Sequence, residues 1–273
     1  MSVSTGTSWA SPDRSTSAPR VELVEFGAVP VLQYFWASSE ELNAGLRDVI
    51  LARMQRTHGV VDTNVGGWHS ERDLPSWNEP PIAVLLERVR SMIGELVRRT
   101  VTNPTSEHLE KWSIEGWANV NRRGAFNKAH HHAGGRIPSR NLWSGIYYVE
   151  DGGSGRAGLS RDGLTKFEDR SGVPKEILRC SDPFERELTI VPQPGLMVFF
   201  PATLRHYVTP YAGESNRITI ALNLKHDGFV IPRYVDPDVP SFMWRNFRGP
   251  MLVASTVKQA IRKMVSGNGG KPY

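Results

Sequence analysis

The sequence predicts a mainly β fold with flanking helices, two sheets packed as a jelly roll, on three observations. Two stretches with helical spacing of apolar residues come first, within the first hundred positions. From Trp112 onward the pattern changes to short β-branched and aromatic runs separated by Gly- and Pro-rich turns. Nothing in the chain looks like a glycine-rich phosphate loop opening a helix, which argues against a layered α/β arrangement.

Residues 1–20 are rich in Ser and Thr and carry neither a basic start nor an apolar core, so they read as a disordered tail and not as a signal peptide. Val21 to Leu32 alternates weakly and is expected to form a first strand. Ser38 with Glu41 has the form of a capping box, and Leu42, Leu46, Val49 and Ile50 recur on one helical face, which predicts a helix from Ser39 to about Arg53. The segment from Gly59 to Pro81 holds too much Gly, Pro and Asn for a regular element and reads as a long loop or a lid. Leu85, Val89, Ile93 and Leu96 restore helical spacing from Pro81 to Arg99. Strands are expected at Trp112–Asn121, Leu142–Val149, Leu188–Val191, Leu196–Phe200 and Arg217–Leu224, and a last amphipathic helix at Thr256–Met264. The organisation predicted is the tail, then one domain over 21–273 with an N-terminal helical support region and a C-terminal helix.

Composition narrows the function classes. The 273 residues include 33 basic and 28 acidic side chains, mixed along the chain, so the net charge of +5 forms no stripe for nucleic acid. No run of apolar residues is long enough to span a membrane. The single cysteine, Cys180, excludes an intramolecular disulfide and a thiolate cluster and suggests a reducing, cytoplasmic setting. A small-molecule substrate is the expected partner, and a homodimer through the last helix stays open.

The chemistry concentrates in histidines. His130, His131 and His132 are consecutive; on extended backbone His130 and His132 point to one side and His131 to the other. His206 follows the strand-like GLMVFFP and can arrive from a neighbouring strand to complete a three-nitrogen face. Such a face suits Fe(II) and leaves positions for molecular oxygen and a bidentate co-substrate, although zinc or nickel also accept three imidazoles. Arg217 lies eleven positions after His206 in the strand NRITIALNL, where a guanidinium among apolar groups needs an anionic partner. Thr219 shares its face, so the pair can clamp the far carboxylate of a dicarboxylic acid; the alternative is an edge-strand arginine paired with Asp or Glu. Asn119, Asn121, Asn127, Ser144 and Tyr148 offer supporting hydrogen bonds, with Tyr148 chosen as a co-substrate contact and Tyr147 facing the core. Trp68 and Trp117 are candidates to bound a substrate pocket. Arg140 and Arg161 either bind an acidic substrate or face water.

Asn127, His130, His132, Ser144, Gly145, Tyr147, Tyr148, Val149, Phe200, Pro201, His206, Val208, Pro210, Arg217 and Asn223 together carry a resemblance. In order and spacing, Trp117 to Asn223 resembles the 2-oxoglutarate/Fe(II)-dependent oxygenase superfamily, and within it a bacterial and phage family of prolyl-hydroxylase-like oxygenases with a His-x-His motif. Trp68 and Ser70 in GGWHS resemble an upstream element of the same family. The resemblance implies a distorted double-stranded β-helix, cupin-like, that binds Fe(II) and holds 2-oxoglutarate on Arg217. Ser144 and Asn127 are taken as candidate co-substrate contacts and Asn119 as a candidate substrate contact; the expected reaction is hydroxylation of an unactivated carbon with release of succinate and carbon dioxide.

One departure stands out. The superfamily usually places Asp or Glu two residues after its first histidine, where this chain has His132. Gly124, six residues before His130, favours the register that puts His132 in the carboxylate's place. Three other ligand sets stay open: His131 first, with Ala133 in the vacated position; His130 and His206 alone; or a distant carboxylate such as Asp162. Two other functions also stay open: a cupin-like three-histidine dioxygenase or hydrolase without 2-oxoglutarate, and a non-catalytic ligand-binding barrel.

Overall fold

The computed structural model describes residues 21–26, 29–133, 139–154, 162–169 and 186–229. The expected tail over 1–20, the helix at 256–264, Cys180 and Arg161 lie outside the described residues. The chain forms β1 (Val21–Phe26), β2 (Val29–Phe35), α1 (Glu40–Arg56), β3 (Asn64–Val65), β4 (Trp68–His69), α2 (Pro80–Thr100) and the short α3 (Ser106–Leu109). Strands β5 (Trp112–Asn121), β6 (Phe126–His130), β7 (Asn141–Glu150), β8 (Thr165–Asp169), β9 (Arg186–Ile190), β10 (Leu196–Pro201), β11 (Arg205–Val208) and β12 (Arg217–His226) follow.

The strands build two sheets. One has the order β1-β2-β10-β7-β12-β5-β4, the other β3-β6-β11-β8-β9, and every strand pairing is antiparallel. With its flanking helices this is a distorted jelly roll of the double-stranded β-helix, cupin-like type. Because side chains alternate across a strand, each strand of the larger sheet serves two environments. Ile218, Ile220, Leu222 and Leu224 of β12, Tyr147 and Val149 of β7, and Met197 and Phe199 of β10 pack with the helices in one core. Their alternate neighbours Ile146, Tyr148, Val198 and Phe200 join Phe167, Ile190 and Leu204 in a second.

The helices supply the first core by the spacing read from the sequence. Ile82, Leu85, Leu86, Val89, Ile93, Leu96 and Val97 line the buried stripe of α2, and Leu42, Leu46 and Ile50 that of α1. The capping box expected at Ser38 and Glu41 does not form. Helix α1 begins at Glu40, and the Ser39 hydroxyl donates backwards to the Trp36 carbonyl at 2.6 Å.

Two further expectations are corrected. Val21 to Leu32 is not one strand but a tight hairpin, β1 and β2, whose second strand pairs with β10. The segment from Gly59 to Pro81 is not a lid, because β3 joins the smaller sheet and β4 the larger. Asn64 makes this regular: its side chain accepts from the Asp62 amide at 2.8 Å and donates to the Gly67 carbonyl at 2.9 Å, around Gly66 at φ 72°. Among the described residues no helix is long and apolar enough to cross a membrane.

Candidate metal centre and its anion pocket

Strand pairing brings the histidines together. His130 ends β6 and His206 lies in β11, and the two are direct cross-strand partners. His132 sits just beyond β6, tied there by its amide, which donates to the Ala202 carbonyl at 2.8 Å. One ring nitrogen from each of His130, His132 and His206 lies within 4.8 Å of the others, and the set includes no carboxylate. His131 is not in this cluster; its Nδ1 accepts from the Ala133 amide at 3.3 Å. Asp162 is not in it either, since this buried carboxylate accepts from the Ala212 amide at 3.0 Å. The register is therefore that of His130 and His132.

Each ring is held by its Nδ1. His130 Nδ1 faces the Lys128 carbonyl at 2.7 Å, His206 Nδ1 the Leu204 carbonyl at 3.1 Å, and His132 Nδ1 the Asn223 Oδ1 at 2.7 Å. A carbonyl oxygen only accepts, so each contact calls for a protonated Nδ1 and leaves Nε2 with its lone pair. The Nε2 atoms of His130 and His132 are 3.0 Å apart. Two nitrogens on adjacent octahedral positions, each about 2.1 Å from a metal, are separated by about 3.0 Å, so the spacing fits a shared cation. Burial, followed by the other histidines, depresses the imidazolium forms. His132 falls to about 3, His206 lies well below its ordinary value, and His130 is lowered against the pull of the Lys128 carbonyl. The rings are thus neutral ligands at neutral pH. A divalent first-row metal fits this donor set.

Arg217 is buried in β12, an interior strand flanked by β7 and β5, at 2% exposure, and not on a sheet edge. Among the described residues its one hydrogen bond runs from Nη2 to Thr165 Oγ1 at 3.5 Å, and its Nε meets no partner there. The guanidinium lies 5.6 Å from the Tyr148 ring centre, and Tyr148 donates its hydroxyl to Thr165 at 2.8 Å. Burial lowers the Arg217 pKa, with Tyr148, Tyr211 and Asp162 opposing. Among the described residues no carboxylate forms an ion pair with it. Thr165 connects this pocket to the histidines: it stands opposite Val208, two residues along from the Phe167 and His206 pair. Two residues of strand span about 7 Å, within reach of one small dicarboxylate.

The remaining site candidates fall on definite faces of the larger sheet. Thr219 faces inward between Asn119 and Tyr148 in one cross-strand row, and Asn119 is buried with an unpartnered Oδ1. Trp117 also faces inward, its ring 5.5 Å from His132 and 4.8 Å from the Arg72 guanidinium. Trp68 faces the helices instead, packing on the first core and donating to the Thr57 carbonyl at 3.1 Å. Its neighbour His69 takes the inward place, stacked on Trp117 at 5.5 Å. Ser144 is a neighbour of His132, with Oγ 2.9 Å from Nδ1, and is paired with Asn223, six residues along β12 from Arg217. Asn127 makes no hydrogen bond to the cluster; it stands opposite Val208 and Asn64, in a depression shared with Phe126, Glu168 and Tyr207. Arg140 is exposed and paired with Asp227 at 2.9 Å. Sequence reasoning missed Thr165 and His69 and gave Asn223 no role.

Residues 115–223 match the sequence family described as "Putative 2OG-Fe(II) oxygenase". No curated protein matches the sequence. Among solved structures, a prolyl-4-hydroxylase from Pseudomonas putida aligns with TM-score 0.52 and 17% identity, over 72% of this chain and 93% of that one. The non-haem α-ketoglutarate-dependent carbocyclase SnoK from nogalamycin biosynthesis aligns with TM-score 0.51 and 12% identity, over 81% of this chain and 87% of its own. The epimerase SnoN from the same biosynthesis gives 0.51 and 10%, over 74% and 77%. The chain shares the fold of these solved structures, and the segment that matches the family described as "Putative 2OG-Fe(II) oxygenase" carries all three histidines and Arg217.

Proposed function

We propose that the protein is a non-haem Fe(II) oxygenase that takes 2-oxoglutarate as co-substrate and acts on a small molecule. The observation that carries this reading is Arg217, a buried guanidinium that among the described residues has one long hydrogen bond and no carboxylate ion pair, close to a face of three neutral imidazoles. An uncompensated buried cation costs several kcal/mol on an order-of-magnitude scale, and an anionic ligand removes that cost. A dicarboxylic keto acid fits both ends: its far carboxylate on Arg217 and Thr165, its keto acid end at the cation held by the histidines.

When bound, iron with the keto acid supplies oxidative decarboxylation and transfer of an oxygen atom to carbon. The chain's own residues bind and orient. His130, His132 and His206 present Nε2 lone pairs from rings whose Nδ1 atoms are tied down. Tyr148 holds Thr165, and Phe167 and Phe200 wall His206 off from water on the apolar side. Trp117 and Asn119 line the remaining inner wall, where substrate would stand.

A second reading rests on the ligand set itself. Three histidines without a carboxylate are also the donor set of a cupin-like dioxygenase or hydrolase that needs no 2-oxoglutarate. One experiment separates them: anaerobic titration of metal-free protein with ferrous iron and 2-oxoglutarate, following the visible metal-to-co-substrate band. The proposal expects a saturable band that needs both additions and weakens in Arg217→Ala. Stoichiometric iron binding with no band refutes it in favour of the second reading.

A further inference from the structure

A polar chain runs outward from His132 between β5 and β12. His132 Nδ1 meets Asn223 Oδ1 at 2.7 Å, Asn223 Nδ2 donates to Glu115 Oε2 at 2.8 Å, and Lys225 Nζ donates to Glu115 Oε1 at 2.9 Å. Arg72 Nη1 stands 3.9 Å from Glu115 Oε2. Sheet register produces the alignment: Asn223 and Glu115 are direct cross-strand partners, and Lys225 follows two residues along on the same face. Burial pushes the Glu115 carboxyl up, but Lys225 and Asn223 outweigh it and leave it below its ordinary value.

Hydrogen-bond polarity makes this chain directional. An ionised carboxylate only accepts, so Asn223 must turn its NH2 toward Glu115. The amide has one other end, its oxygen, which therefore faces His132. An amide oxygen cannot donate, so His132 Nδ1 must carry the proton and Nε2 must be bare. His130 and His206 need no such device, because backbone carbonyls already dictate their polarity. Ser144 does not decide the matter: its hydroxyl, 2.9 Å from His132 Nδ1 and 3.3 Å from Asn223 Oδ1, can donate or accept.

We propose that Glu115 is a positioning residue which, acting through Asn223, locks His132 in the Nδ1-protonated tautomer and so makes the third nitrogen of the site available to a cation. The proposal rests on the reading of His132 as a metal ligand. Glu115 touches neither metal nor ligand, and its part is to orient an amide that could otherwise flip.

The test uses the full chain. In metal-free protein with 15N-labelled histidine, long-range nitrogen-proton correlation reads the His132 tautomer directly, and cobalt(II) titration reads the third ligand. Wild type is expected to show only the Nδ1-protonated form. Glu115→Gln keeps the shape but can present either an oxygen or an NH2, so a second His132 tautomer should appear and cobalt(II) affinity should fall about 10- to 100-fold. Adding Asn223→Asp to Glu115→Gln puts oxygens alone before Nδ1 and should restore both the single tautomer and the affinity, a rescue that a merely structural Glu115 would not show. A single unchanged tautomer in Glu115→Gln, or a loss that the second substitution leaves unrepaired in a folded protein, overturns the proposal. If wild type binds no cobalt(II), the metal reading falls while the tautomer comparison still decides whether Glu115 sets His132.

Discussion

Replacing Arg217 by methionine should stabilise the ligand-free protein while destroying anion binding, and the opposite signs distinguish a ligand-binding arginine from a structural one. The guanidinium is 2% exposed and has no carboxylate ion pair among the described residues. What it would lose is small: one hydrogen bond at 3.5 Å and a ring contact at 5.6 Å, together about 1 kcal/mol. Exchanging unpaired buried charge for an apolar chain of similar length returns about 2–4 kcal/mol, so the net gain is about 1–3 kcal/mol. For a domain of this size that raises Tm by about 2–8 °C. Loss of two charge-assisted bonds to a carboxylate costs about 3 kcal/mol or more, an affinity loss of at least about 100-fold for 2-oxoglutarate. Thermal unfolding without ligand and equilibrium titration of the metal-loaded protein measure the two effects. A variant that melts lower by the equivalent of about 3–5 kcal/mol, the usual cost of breaking a buried ion pair, would refute the reasoning.

The other predictions concern the histidines and the sheet that carries them. The folded-state pKa values of His130, His132 and His206 lie below the unfolded value of 6.5, so below that pH the unfolded chain binds protons that the native chain does not. The metal-free protein should be most stable above pH 6.5 and should lose up to about 1.4 kcal/mol per pH unit for each histidine until the pH passes below that histidine's folded-state pKa, about 3 for His132. Urea midpoints at pH 7.5 and 5.5 that coincide would contradict this. Gly145→Ala should destabilise by about 1–3 kcal/mol, because a Cβ there overlaps the buried ring of Phe199 on the neighbouring strand; calorimetry reads the shift. Tyr147→Phe removes the 2.7 Å bond to Asn43 between β7 and α1 and should cost about 1–2 kcal/mol, with metal binding unchanged because Tyr147 faces the helices.

How much could be read beforehand follows from where the information lies. The period-2 pattern of β12 was legible: Ile218, Ile220, Leu222 and Leu224 face the helices, which forces Arg217, Thr219 and Asn223 inward. The same rule makes errors of one residue absolute. Trp68 was chosen from the GGWHS motif, yet β4 turns it outward and His69 inward. Thr165 could not be found, because TKFED has one apolar residue and its relation to Arg217 exists only across two sheets. The pairing of His130 with His206 likewise depends on register, which spacing along the chain does not encode. The part played by Asn223 and Glu115 was illegible for a different reason: it depends on which end of an amide faces which neighbour, a property of the hydrogen-bond chain and not of residue type.

The neutral ligand set has an electrostatic consequence that joins these observations. Two histidines and a carboxylate would reduce a divalent cation to a net charge of about +1, whereas three imidazoles leave it at +2 with Arg217 close by. The first negative side chain in line is Glu115, two hydrogen bonds removed from the ring and already shared between Lys225 and Arg72. On the proposed reading, the site in its metal-bound state therefore carries an excess of positive charge, which Asp62 near His130 and Asp162 near Arg217 offset only at coulombic range. A dianion with its charges at opposite ends does so at both centres at once, one carboxylate at the cation and the other at Arg217. A monoanion reaching only the metal would leave the guanidinium buried without a partner, so selectivity for a dicarboxylate follows from charge before any contact with the rest of the molecule is counted.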